Sequence, residues 1–294
     1  MALPTSILCP IDFSAHAERA LRHAVALAGA FDAHLTVVTV NDPLLVQATA
    51  AAGHADTLRQ QVEAALREAL ARVPAHTSRV VPTIDIATGL APDEILLAAD
   101  RCNADLIVMG TQGLGGTSKL MFGSTTERVM HTTRVPVLAV PAYEPERITV
   151  EGGATRFAVG TVVAAVGLDP QDATVAGTGA EWAAATGASL ILTHVCRDAP
   201  APAWWPFSGN PVPAESMDAA RAQVATLADT LPASIEAGVD VRIGAVSAAV
   251  AAVTREHAAG LLVVSRGAGG HKLGAVAYRI MREADIPTLV VASR

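Results

Sequence analysis

The sequence predicts an α/β protein built as two tandem domains, each a five-stranded parallel sheet covered by helices on both faces. Three observations predict it. Apolar runs of strand length alternate with stretches whose apolar residues recur at helical spacing, the pattern of βα units. The whole pattern then begins again about halfway along, and a long-period repeat outranks any single motif in deciding architecture. Finally, 294 residues allow about two domains, and 51% hydrophobic against 3% aromatic content makes their cores of Ala, Val and Leu.

The first strand is expected over residues 6–11, ending at Asp12-Phe13-Ser14. Ser14 suits the N-cap of a helix whose apolar face is Ala17, Ala20, Leu21, Ala24, Leu27 and Ala28. Residues 35–40 form a second strand, followed by a polar, Ala-rich connection. Next comes a helix with Leu58, Val62, Ala65, Leu66, Ala69 and Val73 on one side. A weakly alternating third strand, 80–86, closes at Gly89. Pro92-Asp93-Glu94 suits a first helical turn, with proline early and acids near the positive end. Leu106-Ile107-Val108-Met109 reads as a buried parallel strand, 125–133 as a helix, and 135–140 as a last apolar strand.

The repeat matches Gly167-Leu168-Asp169 to Pro10-Ile11-Asp12, and 188–195 to 33–40. It also matches the strand ending at Gly244 to that ending at Gly89, and Pro287 and its strand to Pro136. A boundary falls near 143–156, rich in Pro, Glu and Gly without apolar period, so the domains are expected at 1–143 and 156–294.

The stretch that carries chemistry is Gly110-Thr111-Gln112-Gly113, nine further residues, then Gly123-Ser124-Thr125. Strand, glycine-punctuated loop and helix start is a layout in which backbone N–H groups cradle a phosphate. Gly115 and Gly116 add to the loop, and glycine lets the backbone approach a ligand closely. The spacing is not G-x-x-x-x-G-K-[ST], nor the tighter dinucleotide fingerprint after a first strand. In the second half the loop is altered. Matching Gly113 to Gly267 (154 on) and Gly123 to Gly274 (151 on) makes it three residues shorter. Val264 then stands for Gly110, and Ala275-Val276 for Ser124-Thr125.

A formal charge of −7 (21 basic, 28 acidic) argues against a nucleic-acid partner. Cys9, Cys102 and Cys196 lie far apart without C-x-x-C, as buried thiols in a reducing compartment do. The nine histidines form no metal-ligand pattern. Met1-Ala2-Leu3-Pro4 opens no secretory signal, and no apolar segment is long enough to span a bilayer, so a cytoplasmic location is expected.

Taken together, Pro10-Ile11-Asp12-Phe13-Ser14, the G-x2-G-x9-G-[ST] spacing and Val135-Pro136-Val137 resemble the universal stress protein family in its tandem, UspA-like form, across essentially the whole chain. The resemblance implies doubly wound, Rossmann-like sheets in strand order 3-2-1-4-5, with ATP across the carboxyl ends of strands 1 and 4. Mg2+ is its optional companion. By position, Pro10, Ile11 and Asp12 would take the ribose or adenine side and the Val40 backbone the adenine. Gly110, Thr111, Gln112, Gly113, Gly115 and Gly116 would wrap the phosphates, whose far end Gly123, Ser124 and Thr125 would hold. In the second half Gly167, Asp169, Val195, Gly267 and Gly274 correspond. The family further implies pairing of the two domains through their final strands, 137–140 and 288–291, with scope for a homodimer and a signalling partner.

The expected role is a nucleotide-dependent stress-response sensor or regulator. A slow ATPase or phosphotransfer enzyme in the same pocket, or a nucleotide-free scaffold, are the alternatives. Asp12 is a ribose contact or a capping residue; Lys119 touches phosphate or solvent. His16, His23 and His194 have no evident acid or nucleophile partner in the sequence and are read as structural. Trp204-Trp205 lies in a proline-rich run, 199–213, that is either a lid on the second pocket or a partner patch.

Overall fold

A computed structural model of the chain describes residues 3–73, 80–111, 122–141, 148–151, 154–169, 172–197, 214–267 and 273–291. It divides into two compact units, Pro4–Ala158 and the chain from Val159 on.

In the first unit, β1 (Ser6–Pro10), β2 (His34–Asn41), β3 (Thr83–Thr88), β4 (Leu106–Gly110) and β5 (Val137–Val140) line up as 3-2-1-4-5. Neighbouring strands run parallel. Every residue of β4 and β5 is buried, as the unbroken apolar runs require. Helix α1 (Ala15–Phe31) starts at Ser14, whose side chain accepts from Ala17 N, and buries a broad alanine-rich face. It stops at Asp32, which adopts the left-handed conformation.

The connection after β2 is not merely polar coil. Asp42-Pro43 starts α2 (Pro43–Ala51), with Asp42 accepting from Leu44 N at 2.7 Å and proline in the first turn. That cap and proline pair was the available signal. Helix α3 (Ala55–Ala71) follows; its buried residues, Leu66 and Ala69, lie in its C-terminal half. Then come α4 (Ala91–Arg101) and α5 (Ser124–Thr132). The boundary stretch, expected near 143–156, overlaps an antiparallel hairpin, β6 (Ile148–Glu151) with β7 (Ala154–Phe157). Two residues, Gly152 and Gly153, separate the strands, a dipeptide that favours hairpins. Phe157 is buried edge-on against the His23 ring of α1, centroids 5.5 Å apart.

The second unit repeats the plan with β8 (Thr161–Ala165), α6 (Asp172–Thr186), β9 (Ser189–Arg197), α7 (Ala214–Asp229) and β10 (Ala237–Gly244). It finishes with α8 (Val246–Glu256), β11 (Leu261–Ser265), α9 (Ala275–Ala284) and β12 (Thr288–Val291). The order β10-β9-β8-β11-β12 is again 3-2-1-4-5.

Strand register gives the repeat its true alignment. Ser6 pairs with His34 in the first unit and Thr161 with Ser189 in the second, each 155 on (6 to 161, 34 to 189). Ile11 N donates to Val38 O, and Val166 N to Thr193 O, at the same interval. So does the left-handed helix stop, Asp32 and then Gly187. Gly167, not Asp169, therefore stands at the position of Asp12, and Asp169 at that of Ser14. The sequence matching slid by two because Gly-Leu-Asp and Pro-Ile-Asp share their last residue. Pairing of backbone groups is blind to that likeness.

Candidate functional site

Parallel strands aim their carboxyl ends the same way, and in the order 3-2-1-4-5 the chain leaves β1 and β4 toward opposite edges. The crevice outside those two ends is where such a sheet takes ligands. In the first unit β1 ends with Pro10, Ile11 is buried, and Asp12 stands exposed with Oδ1 accepting from Ser14 N at 3.0 Å. Phe13, between them, has φ 61°. A bulky residue pays for left-handed backbone with roughly 1–2 kcal/mol. The same outlier recurs in the second unit at Leu168, φ 60°. Val40 is half-buried near the end of β2.

Across the crevice, Gly110 is the buried last residue of β4, and Thr111 follows half-buried. Gly123 N donates to Thr111 O at 2.8 Å, so the loop closes on itself at its base. Gly123 caps α5 in extended conformation without a side-chain cap. The first helical bond across that turn runs from Glu127 N to Gly123 O. The N–H groups of Ser124, Thr125 and Thr126 lie ahead of it, where a helix offers no acceptor of its own. The sequence reading missed Thr126. Its buried hydroxyl donates to Gly110 O at 2.8 Å and fastens the helix start to the end of β4. The run Ser124-Thr125-Thr126, three hydroxyls rather than two, was the signal. Ser124 is exposed and Thr125 half-buried. Gln112, Gly113, Gly115, Gly116 and Lys119 lie outside the described residues, as does the Trp204-Trp205 run.

Helix α5 thus presents the positive end of its dipole, bare amides and two hydroxyls beside the ends of β1 and β4. Bare main-chain donors at a helix start are suited in general to holding an anion.

The second crevice has the same frame and different chemistry. Gly110 pairs with Val140 and Ser265 with Val291, so Ser265 and not Val264 is the counterpart of Gly110. Gly274 N donates to Arg266 O at 2.6 Å, the same basal closure. Eleven residues (112–122) lie between the closing pair in the first unit and seven (267–273) in the second. The second loop is four shorter, not three, because matching glycine to glycine had absorbed one deletion. Gly267 has left-handed backbone, φ 98°. Ser124-Thr125-Thr126 becomes Ala275-Val276-Ala277, so the hydroxyls and the Thr126 anchor are all gone.

Acids replace them. Asp172, 7% exposed, accepts from Gly167 N at 2.8 Å and Asp169 N at 2.9 Å, filling the turn's amides from within. Burial first, and Asp169 nearby, raise its carboxyl above the usual range. A Cβ on Gly167 would meet Asp169 Oδ2 at 3.0 Å, so that carboxylate too leans over the turn. His194 Nδ1 donates to Val166 O at 2.9 Å, and Val195 is buried. Arg266 is 1% exposed, and burial pushes its guanidinium pKa down. Its charge is not presented to solvent at the mouth.

Among the described residues, no group of three or more His, Cys, Asp or Glu is placed to hold a metal, and no helix is long and apolar enough to cross a membrane. The model of the universal stress protein family matches residues 5–141 and again 159–292. A universal stress protein of Mycolicibacterium smegmatis is 26% identical over 98% of this chain and 97% of its own. Universal stress protein MJ0531 of Methanocaldococcus jannaschii is 32% identical over 46% of this chain and 80% of its own. The crystal structure of a universal stress protein from Archaeoglobus fulgidus superimposes over 99% of this chain and 97% of its own, with TM-score 0.69 at 18% identity.

Proposed function

Because this chain belongs to the universal stress protein family, twice over, we propose that its first unit binds ATP at the crevice between β1 and β4 and reports nucleotide state as a stress-response regulator. One observation carries the reading: the bare amides and hydroxyls of Ser124 and Thr125, fastened by Thr126 to Gly110 at the carboxyl edge of the sheet. Their chemistry fits the terminal phosphates. Asp12, exposed across the crevice, fits the ribose hydroxyls, and the backbone at Val40 the adenine edge. The repeated left-handed residue, Phe13, supports a constrained turn there, since strain of this kind persists where the surroundings hold it in place. Mg2+ would enter on the phosphates of Mg-ATP.

The magnitudes are sufficient. Micromolar affinity is about 8 kcal/mol at a 1 M standard state. A few charge-assisted hydrogen bonds at roughly 1.5–3 kcal/mol each, with burial of adenine, supply that after the costs of binding.

The second unit takes no polyphosphate in this reading. Its turn amides are occupied by Asp172, its helix start is bare of hydroxyls, and its loop is four residues shorter. Chromatography of the supernatant from denatured, purified protein, followed by calorimetric titration with Mg-ATP, tests the reading. One adenine nucleotide per chain is expected. No copurifying nucleotide together with a flat titration overturns it.

A further inference from the structure

In the second unit β10 ends the strand order, and among the described residues no strand pairs with its outer side. Hydrogen bonding tells which of its backbone groups face that way. Val166 N donates to Thr193 O and Ser189 N to Gly160 O, so the odd residues of β9 turn their N–H and C=O to β8. The even ones turn to β10, where Leu192 stands opposite Val239, and the even residues of β10 answer them. The backbone groups of Val239, Val241 and Ile243 therefore point out of the sheet. Asp240 and Arg242, two apart, share the face on which α8 lies. There Arg242 donates to Asp240 at 2.9 and 2.7 Å and to Glu256 at 2.9 and 2.6 Å.

We propose that this edge pairs antiparallel with the same edge of a second copy of the chain, about a two-fold axis at Val241. In that register Val241 faces Val241 and Val239 faces Ile243, as hydrogen-bonded pairs made by the groups that already point outward. Asp240 faces Arg242 in the non-hydrogen-bonded pairs, where side chains come closest. Charge fixes the register. Moving the axis by one residue sets Asp240 against Asp240, or Arg242 against Arg242. Hydrogen bonds from Arg242 hold the Asp240 carboxyl below its usual range, so both members are charged. Of the five N–H donors of a guanidinium, Arg242 uses four within its own chain, which fixes its position and leaves one on Nη1 for the facing carboxylate. Edge strands commonly carry charge that repels a second copy, whereas the charge on β10 complements itself. The first unit lacks this complement. Asp85 of β3 stands at the place of Asp240, but Ala87 at that of Arg242, and the arginine that holds Asp85 is Arg101 of α4.

Sedimentation equilibrium of the full-length protein in low salt, over a micromolar range, tests the proposal. A reversible monomer–dimer equilibrium is expected. Asp240→Lys and Arg242→Glu each weaken it at least about tenfold, because each sets like charges opposite one another. Mixed one to one, the two variants pair again, since the basic residues of one strand then face the acidic residues of the other. Val241→Pro also weakens the dimer, because it removes an outward N–H and leaves the ladder to β9 whole. Circular dichroism stays unchanged in all three. A chain that remains monomeric throughout overturns the proposal. So does a dimer that the variants leave unchanged, or a mixture of folded Asp240→Lys and Arg242→Glu chains that does not pair.

Discussion

The two crevices share one backbone plan and differ in the side chains set around it. In the first unit the turn after β1 offers an exposed Asp12 and the helix start offers hydroxyls and bare N–H groups. In the second, Gly167 replaces Asp12, and Asp172, at the position of Ala17, takes the amides of Gly167 and Asp169 for itself. Strand order and basal loop closure are kept while the polar groups around the crevice change.

The largest expected effect is at the helix start. Gly123→Val, which crowds the amides of α5, lowers ATP affinity at least about 100-fold, close to 2.7 kcal/mol. Its counterpart Gly274→Val leaves that affinity within about twofold. Titration calorimetry on both variants decides it, and equal losses in the two would break the comparison. Asp12→Ala comes next, with an affinity loss of about tenfold for one hydrogen bond to a charged group. The reverse change, Gly167→Asp, adds no second binding event, because the shorter loop and Asp172 remain.

Thr126→Val sharpens the comparison through stability. Removing its bond to Gly110 O costs the first unit about 1 kcal/mol, measured by urea unfolding followed by circular dichroism. Ala277, at the matching place, has no such bond to lose. The smallest effect is the pH dependence of Asp172. Its folded-state pKa is raised, mainly by burial, so the fold prefers the protonated acid. The associated stability is fully present below the unfolded value near 3.8 and is lost as pH rises through the raised folded value. Wild type therefore loses ground to Asp172→Asn as pH rises across that window. Trp182, Trp204 and Trp205 all follow Val159, so tryptophan fluorescence reports this unit alone.

Much of the architecture was readable in advance because its signals are local. Strand runs such as Leu106-Ile107-Val108-Met109 and helical spacing such as Ala17, Ala20, Leu21 and Ala24 depend on neighbours a few residues apart. They declared the α/β class, the order of elements and the duplication, and the hydroxyls after Gly123 marked one helix start. Even the overlooked α2 and the β6–β7 hairpin had local signs, in Asp42-Pro43 and Gly152-Gly153.

What the sequence could not determine is equivalence across the repeat and the partner of each polar group. Both depend on register between strands far apart in the chain, where one deleted residue or a coincidental Asp shifts the match unseen. Only the pairing of Ser265 with Val291, and of Thr161 with Ser189, put Ser265 opposite Gly110 and Gly167 opposite Asp12. Only packing brought Thr126 to Gly110. Periodicity is written along the chain, but hydrogen-bond partners are chosen in space, and binding follows the partners.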